Sequence, residues 1–311
     1  MCGGGGSGSV GPPPSPARIR ELVSSSQGEQ DQATHKIHVA DFLSEVLQEA
    51  NVRDADAVNR HLETARGAIE GQMGDAVDLR FGGSVRRHTY VDGLSDVDLL
   101  VVLNRDVAAE ASPRELLTEF AAALRGRLPD TDIEVGDISV KVHFRDGTDL
   151  QLLPAFRIGG GYKIPRRYGE TWSGVIKPRE FATSLTEVNQ SNARKVVPVI
   201  KLFKIAQLRF PQSAQLTGYH AEAIAVEAFK EYRGPLDLRE MFLHYCRSAA
   251  ARVASPMQET TGQSTYIDSY LGPANSSARA AAATRITHLA TRLQNADDRC
   301  AVESWEDAFS G

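Results

Sequence analysis

The spacing of apolar residues predicts helices near the start of the chain, a sheet in its first half and a helical second half. Phe42, Leu43, Val46 and Leu47 recur at intervals of three and four residues, which is typical of a helix that starts at about Gln32. The same spacing predicts further helices over residues 54–73, from Ser112 and Pro113, from Asn192, and over 235–254 and 278–293.

Short apolar runs with strand character lie between the early helices. They cover residues 76–81, 97–103, 138–144 and 148–153, and Asp146-Gly147 is typical of a hairpin turn between the last two. We therefore predict an α+β fold, in which a mixed sheet of about four or five strands is followed by a helical lobe.

Composition suggests how this pattern divides into domains. Residues 1–30 are rich in Gly, Ser and Pro and are predicted to form a disordered tail. The strands fall within residues 31–176, and residues 177–311 form the predicted helical lobe.

Charge and cysteine content narrow the functional classes. The formal net charge of −5 is not the strongly positive charge that is typical of nucleic-acid-binding proteins, so we expect no strong nucleic-acid partner. No apolar run reaches membrane-spanning length. The chain opens with no signal sequence, and Cys2, Cys246 and Cys300 lie far apart without a zinc-type spacing. We therefore expect a cytoplasmic protein without disulfides.

The main candidates for metal and phosphate binding lie in the segment Phe81–Leu103. Asp96 and Asp98 open the strand at 97–103, and alternate side chains of a strand share a face, so both carboxylates point the same way. Two such carboxylates suit Mg²⁺, which leaves further positions to water and substrate phosphates. The turn at Gly83 and Ser84 allows backbone N–H groups and a hydroxyl to approach a phosphate.

This segment resembles the signature of the DNA polymerase beta-like nucleotidyltransferases, a GS turn followed by an Asp-x-Asp strand. Arg87, Thr89 and Ser95 complete a form that is similar to the cyclic-oligonucleotide synthase branch, which includes the bacterial CD-NTases of anti-phage CBASS operons. The resemblance implies a bilobal fold, in which residues 31–176 form the catalytic domain and residues 177–311 bind nucleotide. It also implies nucleoside triphosphate substrates and two Mg²⁺ ions, or Mn²⁺.

The third catalytic carboxylate of the family differs in this chain. Family members typically carry Asp-x-x-Pro-Ala-Phe, whereas this chain reads DLQLLPAF, which places Gln151 at the Asp position. Glutamine is neutral and cannot act as a base. Asp149 lies two residues earlier on the same strand face. It is either the carboxylate that replaces Gln151 as a metal ligand, by a shift of register or by reaching in, or a solvated residue that closes the hairpin turn.

The helical half carries further candidates for nucleotide binding. Lys201 and Lys204, followed by Thr217, Gly218 and Tyr219, resemble the synthase segments that hold the donor triphosphate and stack on its base. The resemblance implies that a lysine contacts the phosphates and that the Tyr219 ring stacks on the base. Relatives have Ser where this chain has Gly218, so a hydroxyl contact is either absent or supplied by Thr217.

Other segments match the family more loosely. The loop with Lys163, Arg166 and Arg167 supplies positive charge for an acceptor nucleotide or a regulatory ligand, although such loops are often merely solvated. Residues 266–279 resemble a segment that lies near the nucleotide, which would place Tyr266, Ile267 and Asp268 there. The terminal Gly311 resembles the C-terminus of CD-NTases that are conjugated by an operon-encoded protein, and an operon-encoded effector or regulator is the expected partner.

We predict an enzyme that makes a cyclic or linear oligonucleotide second messenger in anti-phage defence, with release of pyrophosphate. Two alternatives stay open. Gln151 is compatible with a weakened or inactive module that binds nucleotide for signalling. The GS and Asp-x-Asp pair also occurs in enzymes that extend RNA 3′ ends, although the acidic composition disfavours this class.

Overall fold

A mixed β-sheet and a separate group of helices build the protein, as the apolar pattern predicted. The computed structural model describes residues 15–51, 55–73, 77–81, 83–91, 97–105, 111–166, 171–258 and 267–310. The strands are β1 (Val77–Phe81), β2 (Val97–Leu103), β3 (Asp132–Val135), β4 (Val140–His143), β5 (Asp149–Ile158) and β6 (Gly161–Lys163). The α-helices are α1 (Pro16–Glu49), α2 (Ala55–Met73), α3 (Gly83–Arg86), α4 (Pro113–Arg127), α5 (Pro178–Ser191), α6 (Val196–Ala206), α7 (Gly218–Phe229), α8 (Leu238–Val253), α9 (Ser277–Asp298) and α10 (Glu303–Phe309).

The strand order places β2 and β5 side by side at the centre of the sheet. The order is β1-β2-β5-β4-β3, and β6 pairs with β5. The β2–β5 pair is parallel and every other pair is antiparallel, so the sheet is mixed, as predicted. Because β2 carries the Asp-x-Asp motif and β5 carries the DLQLLPAF segment, the topology brings these two motifs together.

The sheet has two strands more than the four that the sequence pattern located. The strands β3 and β6 are only four and three residues long, and β3 buries a single side chain, Ile133. Such short strands leave no clear alternation. In addition, β5 continues through Pro154 to Ile158, because Pro154 lies beyond Leu152, where the pairing with β4 ends.

Two hydrophobic cores support the predicted bilobal arrangement. One lies between the sheet and α2 and α4, and includes Leu99, Val101, Phe120 and Leu152. The other lies among the helices α5 to α10. Helix α1 belongs to the second core through Val39 and Leu43, although it precedes the sheet in the sequence. The domain boundary at residue 176 remains a prediction.

Two local predictions were wrong. The tail was expected to be disordered to residue 30, but α1 begins at Pro16, with Ser15 as its N-cap. Residues 25–34 are exposed, so this part of the helix carries no apolar stripe that would reveal it. Asn192 was expected to start a helix, yet it ends α5, because Ala193 and Arg194 turn the chain at φ of 53° and 61° before α6 begins.

The helix at Ser112 was correctly predicted. Ser112 accepts a hydrogen bond from the backbone N–H of Glu115, and the Glu115 carboxylate accepts one from the backbone N–H of Ser112. None of the helices in the described ranges has an apolar stretch long enough to cross a bilayer.

Candidate active site

The turn at Gly83 and Ser84 lies directly against the carboxylate of Asp98. Asp98 is the second residue of β2, and its Oδ2 lies 3.4 Å from the Ser84 backbone nitrogen. Gly83 has a φ of +44°, and a Cβ there would lie 1.5 Å from Asp98 Oδ2. Only glycine allows this approach, so the two halves of the sequence motif form one structural unit. Asp96, the other predicted carboxylate, lies outside the described residues.

Gln151 on β5 is the direct partner of Asp98 in the parallel register. Its side-chain Nε2 donates a hydrogen bond to Ser139 Oγ at 2.8 Å. Asp149 lies two residues earlier on the same face, and its Oδ1 lies 2.8 Å from His143 Nδ1. The register therefore places the neutral Gln151, and not Asp149, beside Asp98.

Lys204 is more deeply buried than Lys201 and bonds to the segment that follows the Gly83–Ser84 turn. The Lys204 side chain is 7% exposed and its Nζ donates to the Thr89 carbonyl at 2.9 Å. Burial lowers the pKa of Lys204, although the nearby charges of Glu222 and Asp98 oppose this effect. Lys201 is half-buried and donates instead to Asn51. Burial and the nearby charge of Lys204 lower the pKa of Lys201, so the two lysines lie near each other but have different hydrogen-bond partners.

Tyr219 lies near the start of α7 with its ring partly exposed. It packs against Phe181, with ring centroids 4.8 Å apart, and the Arg87 guanidinium lies 5.6 Å from the Tyr219 centroid. The Thr217 hydroxyl caps α7 by accepting from the backbone N–H of His220. Gly218 lies beside Lys204, since a Cβ at Gly218 would be 3.3 Å from Lys204 Nζ.

Glu222 was missed in the sequence, although it is fully buried between Lys204 and the segment after the Gly83–Ser84 turn. It accepts hydrogen bonds from Arg87 and Thr89 as well as from Lys204. Burial opposes the ionisation of Glu222, but the charges of Arg87 and Lys204 outweigh it and hold the pKa below its usual value. A charged residue within the apolar run of α7 was the signal that could have revealed this position.

The structure gives the positions of several residues in the segments that match the family only loosely. Asp268 is buried and accepts hydrogen bonds from Arg279 and from the Met257 backbone N–H, so it organises the loop before α9. Lys163 ends β6, and Arg166 lies in the connection that follows. Arg167, Tyr266 and Gly311 lie outside the described residues.

The oxygen atoms on this face of the sheet fit a hard divalent cation. Asp98 and Asp149 supply carboxylates, and Gln151 supplies an amide oxygen that Mg²⁺ accepts less readily than a carboxylate. Within the described ranges, no group of three His, Cys, Asp or Glu side chains is arranged to hold a metal. The predicted set includes Asp96, which is not among those residues.

Comparison with known proteins agrees with this geometry. Residues 37–189 match the family model of the Second Messenger Oligonucleotide or Dinucleotide Synthetase domain. None of the curated proteins matches the chain by sequence.

Several solved structures share the fold at low sequence identity. The CD-NTase CdnG of Bradyrhizobium diazoefficiens, in complex with GTP, is 16% identical over 85% of this chain and 97% of that chain, with a TM-score of 0.65. A CdnC from E. coli MS115-1 in complex with HORMA-deltaN is 17% identical over 89% of this chain and 98% of that chain, with a TM-score of 0.61. The di-nucleotide cyclase DncV of Vibrio cholerae is 10% identical over 96% of this chain and 91% of that chain, with a TM-score of 0.60.

The fold matches that of solved CD-NTases, and the stretch that matches the synthetase domain model includes both the Gly83–Ser84 turn and Asp98. Enzymes of this class typically use divalent metal ions.

Proposed function

We propose that this chain joins nucleoside triphosphates into a cyclic or linear oligonucleotide second messenger. A nucleotide hydroxyl attacks the α-phosphorus of a donor triphosphate, a phosphodiester bond forms, and pyrophosphate leaves. The observation that carries the proposal is the close approach of Gly83 to Asp98, where a Cβ would lie 1.5 Å from the carboxylate. On this proposal, the backbone groups of the turn bind phosphate beside a carboxylate that binds the metal. The domain match at residues 37–189 supports the same reaction.

Each candidate residue has a role in this reaction. The Ser84 backbone and the Lys204 ammonium bind the donor phosphates, and the Tyr219 ring stacks on the donor base. Asp96, Asp98 and Asp149 would hold the Mg²⁺ ions. When bound, these ions neutralise the charge that develops on the phosphoryl oxygens and lower the pKa of the attacking hydroxyl.

Three relationships in the structure bear on these roles. Lys204 lies close enough to Asp98 for their charges to interact, so phosphate and metal would meet at one place. Lys201 donates to Asn51 instead, and we assign it a secondary role in phosphate binding. Asp149 is paired with His143, so it would reach a metal ion while His143 holds its other oxygen.

Gln151 favours a second candidate function. It lies opposite Asp98, where a carboxylate would complete the metal site, and its amide is hydrogen-bonded to Ser139. A site of this kind would bind nucleotide with fewer charged metal ligands and turn it over slowly or not at all. The protein would then be a nucleotide-binding signalling module.

The setting that we propose is anti-phage defence, with an operon-encoded regulator or effector as partner. The CdnC structure contains a HORMA protein, which supports a protein regulator for this class of fold.

One experiment separates the two functions. The purified protein is incubated with Mg²⁺ or Mn²⁺ and labelled ATP, GTP, CTP and UTP, beside Asp98→Asn as the inactive control and Gln151→Asp. Phosphodiester product from the wild type, absent in Asp98→Asn, supports the synthase. Product from Gln151→Asp alone, together with thermal stabilisation of the wild type by nucleotide, supports the binding module. No product from either protein contradicts the synthase proposal.

A further inference from the structure

Glu222 joins the sheet side of the molecule to the helical side through one buried carboxylate. Its Oε2 accepts a hydrogen bond from Arg87 Nε at 2.5 Å. Its Oε1 accepts from Lys204 Nζ at 3.1 Å and also from the Thr89 hydroxyl. Arg87 and Thr89 follow α3, whereas Lys204 and Glu222 belong to α6 and α7.

Burying these charges is costly, so the arrangement needs an explanation other than packing. Glu222 is fully buried, and the Arg87 and Lys204 side chains are 9% and 7% exposed. Replacing a buried ion pair by apolar side chains of similar size is often neutral or stabilising. The adjacent residues Ala221 and Ala223 are buried and apolar.

Glu222 reaches each of the three elements that the proposed function assigns to nucleotide binding. It bonds to Lys204 directly. It holds the Thr89 hydroxyl, and the Thr89 backbone N–H donates to the Ser84 carbonyl at 3.0 Å, which fixes the phosphate-binding turn. It also fixes Arg87, whose guanidinium lies 5.6 Å from the centroid of the Tyr219 ring.

We propose that Glu222 is a positioning residue of the nucleotide site. It does not touch the substrate; it sets the Ser84 turn, the Lys204 ammonium and the Tyr219 ring at fixed distances from one another. Two cations share this single carboxylate, so Glu222 by itself neutralises only one of the positive charges of Arg87 and Lys204. The inference rests on the proposed function, because it assumes that these three elements bind one nucleotide.

The test compares two buried carboxylates of the helical side. Glu222→Gln removes the charge at the site, and Asp297→Asn removes the charge of a buried carboxylate that bonds to His35, Arg239 and Trp305, outside the nucleotide-binding elements. Binding of ATP with Mg²⁺ is measured by titration calorimetry, and stability by thermal unfolding. We expect both variants to lose stability, but only Glu222→Gln to lose ATP affinity, by about tenfold.

A second pair of variants keeps all the charges and serves if Glu222→Gln does not fold. Thr89→Val removes the hydroxyl that bonds to Glu222, and Thr89→Ser keeps it. We expect Thr89→Val to weaken ATP binding by several-fold and Thr89→Ser to restore it. A purely structural role for Glu222 would lower stability without this difference in affinity.

The outcomes distinguish this inference from the proposed function. If the wild type binds ATP and Glu222→Gln binds it equally well or more tightly, Glu222 does not position the site and the inference is overturned. Tighter binding would indicate that Glu222 competes with phosphate for Lys204. If the wild type binds none of ATP, GTP, CTP and UTP, the proposed function fails, and the inference fails with it.

Discussion

Asp98 and Gln151 are direct partners in the parallel register of β2 and β5, so a carboxylate and a neutral amide stand side by side where the family pattern has two carboxylates. Adjacent strands lie about 4.8 Å apart, which is close enough for one cation to contact both side chains. The sequence differs from the family pattern at Gln151. Because Gln151 is the register partner of Asp98, this difference lies at the centre of the candidate site.

Replacing Gln151 by Asp should create a metal-dependent gain in stability. Two adjacent carboxylates repel one another without a cation and attract Mg²⁺ when it is present. We expect Gln151→Asp to melt below the wild type in EDTA and to regain stability in Mg²⁺, while Gln151→Asn shows no such change. Thermal unfolding with and without the metal measures this effect. Equal responses of the Asp and Asn variants to Mg²⁺ would show that position 151 lies outside the metal site.

Replacing Gly83 by Ala should damage both the fold and the activity. A non-glycine residue at positive φ costs about 1–3 kcal/mol, and here the Cβ would also overlap Asp98 Oδ2. Gly147 is the matched control, because it has a φ of +85° and nothing within 4 Å of its Cβ position. In urea unfolding we expect Gly147→Ala to lose only the stability that the positive φ costs, and we expect this variant to keep its activity. Equal effects of both variants on activity would contradict the close approach.

The elements of the fold followed from local signals, whereas the centre of the site depended on contacts between distant residues. The helix at Ser112 carries its own capping residues, and β2 is a continuous apolar run, so both were predictable from a short stretch. The short strand β3 and the exposed residues 25–34 of α1 carry no apolar periodicity and were missed. These differences concern regions where packing contributes little to the choice of structure.

The candidate site, too, was predictable where its residues lie close together in the sequence and not where they are far apart. The sequence placed Gly83 and Asp98 in one motif, and the structure adds that the two residues are in direct contact. The sequence offered Lys201 and Lys204 as equals, and only the packing of α6 against Thr89 distinguishes them. Glu222 lies more than 130 residues from Arg87 and Thr89, so no local pattern could link them.

Lys204 should matter more for nucleotide binding than Lys201. Lys204 is buried and bonds to Glu222 and to the Thr89 carbonyl, close to the Gly83–Ser84 turn, whereas Lys201 bonds to Asn51. We expect Lys204→Met to weaken ATP binding by about tenfold or more, and Lys201→Met by less than about threefold. Titration with ATP and Mg²⁺ compares them. The reverse order would assign the phosphates to Lys201.

His220 should make the protein less stable in acid. Burial lowers the pKa of His220 from 6.5 to about 4, although the nearby charge of Asp268 opposes this shift. The ring is fully buried, with Nδ1 lying 2.9 Å from the Tyr270 hydroxyl and Nε2 without a hydrogen-bond partner. Burial therefore holds the imidazole neutral in the folded state, whereas the unfolded chain protonates it below its ordinary pKa.

The sign of the effect follows from this difference in proton binding. Between pH 6.5 and about 4 the unfolded state binds more protons at His220 than the folded state, so stability falls as the pH falls through this window. The total loss of unfolding free energy from His220 is about 3 kcal/mol, and it is complete once the pH has fallen below the pKa of the folded state. Urea unfolding at pH 7, 5.5 and 4, with His220→Gln as the control for the other titrating groups, should show a steeper loss in the wild type. Equal slopes for the two proteins would mean that His220 is accessible to protons in the folded state.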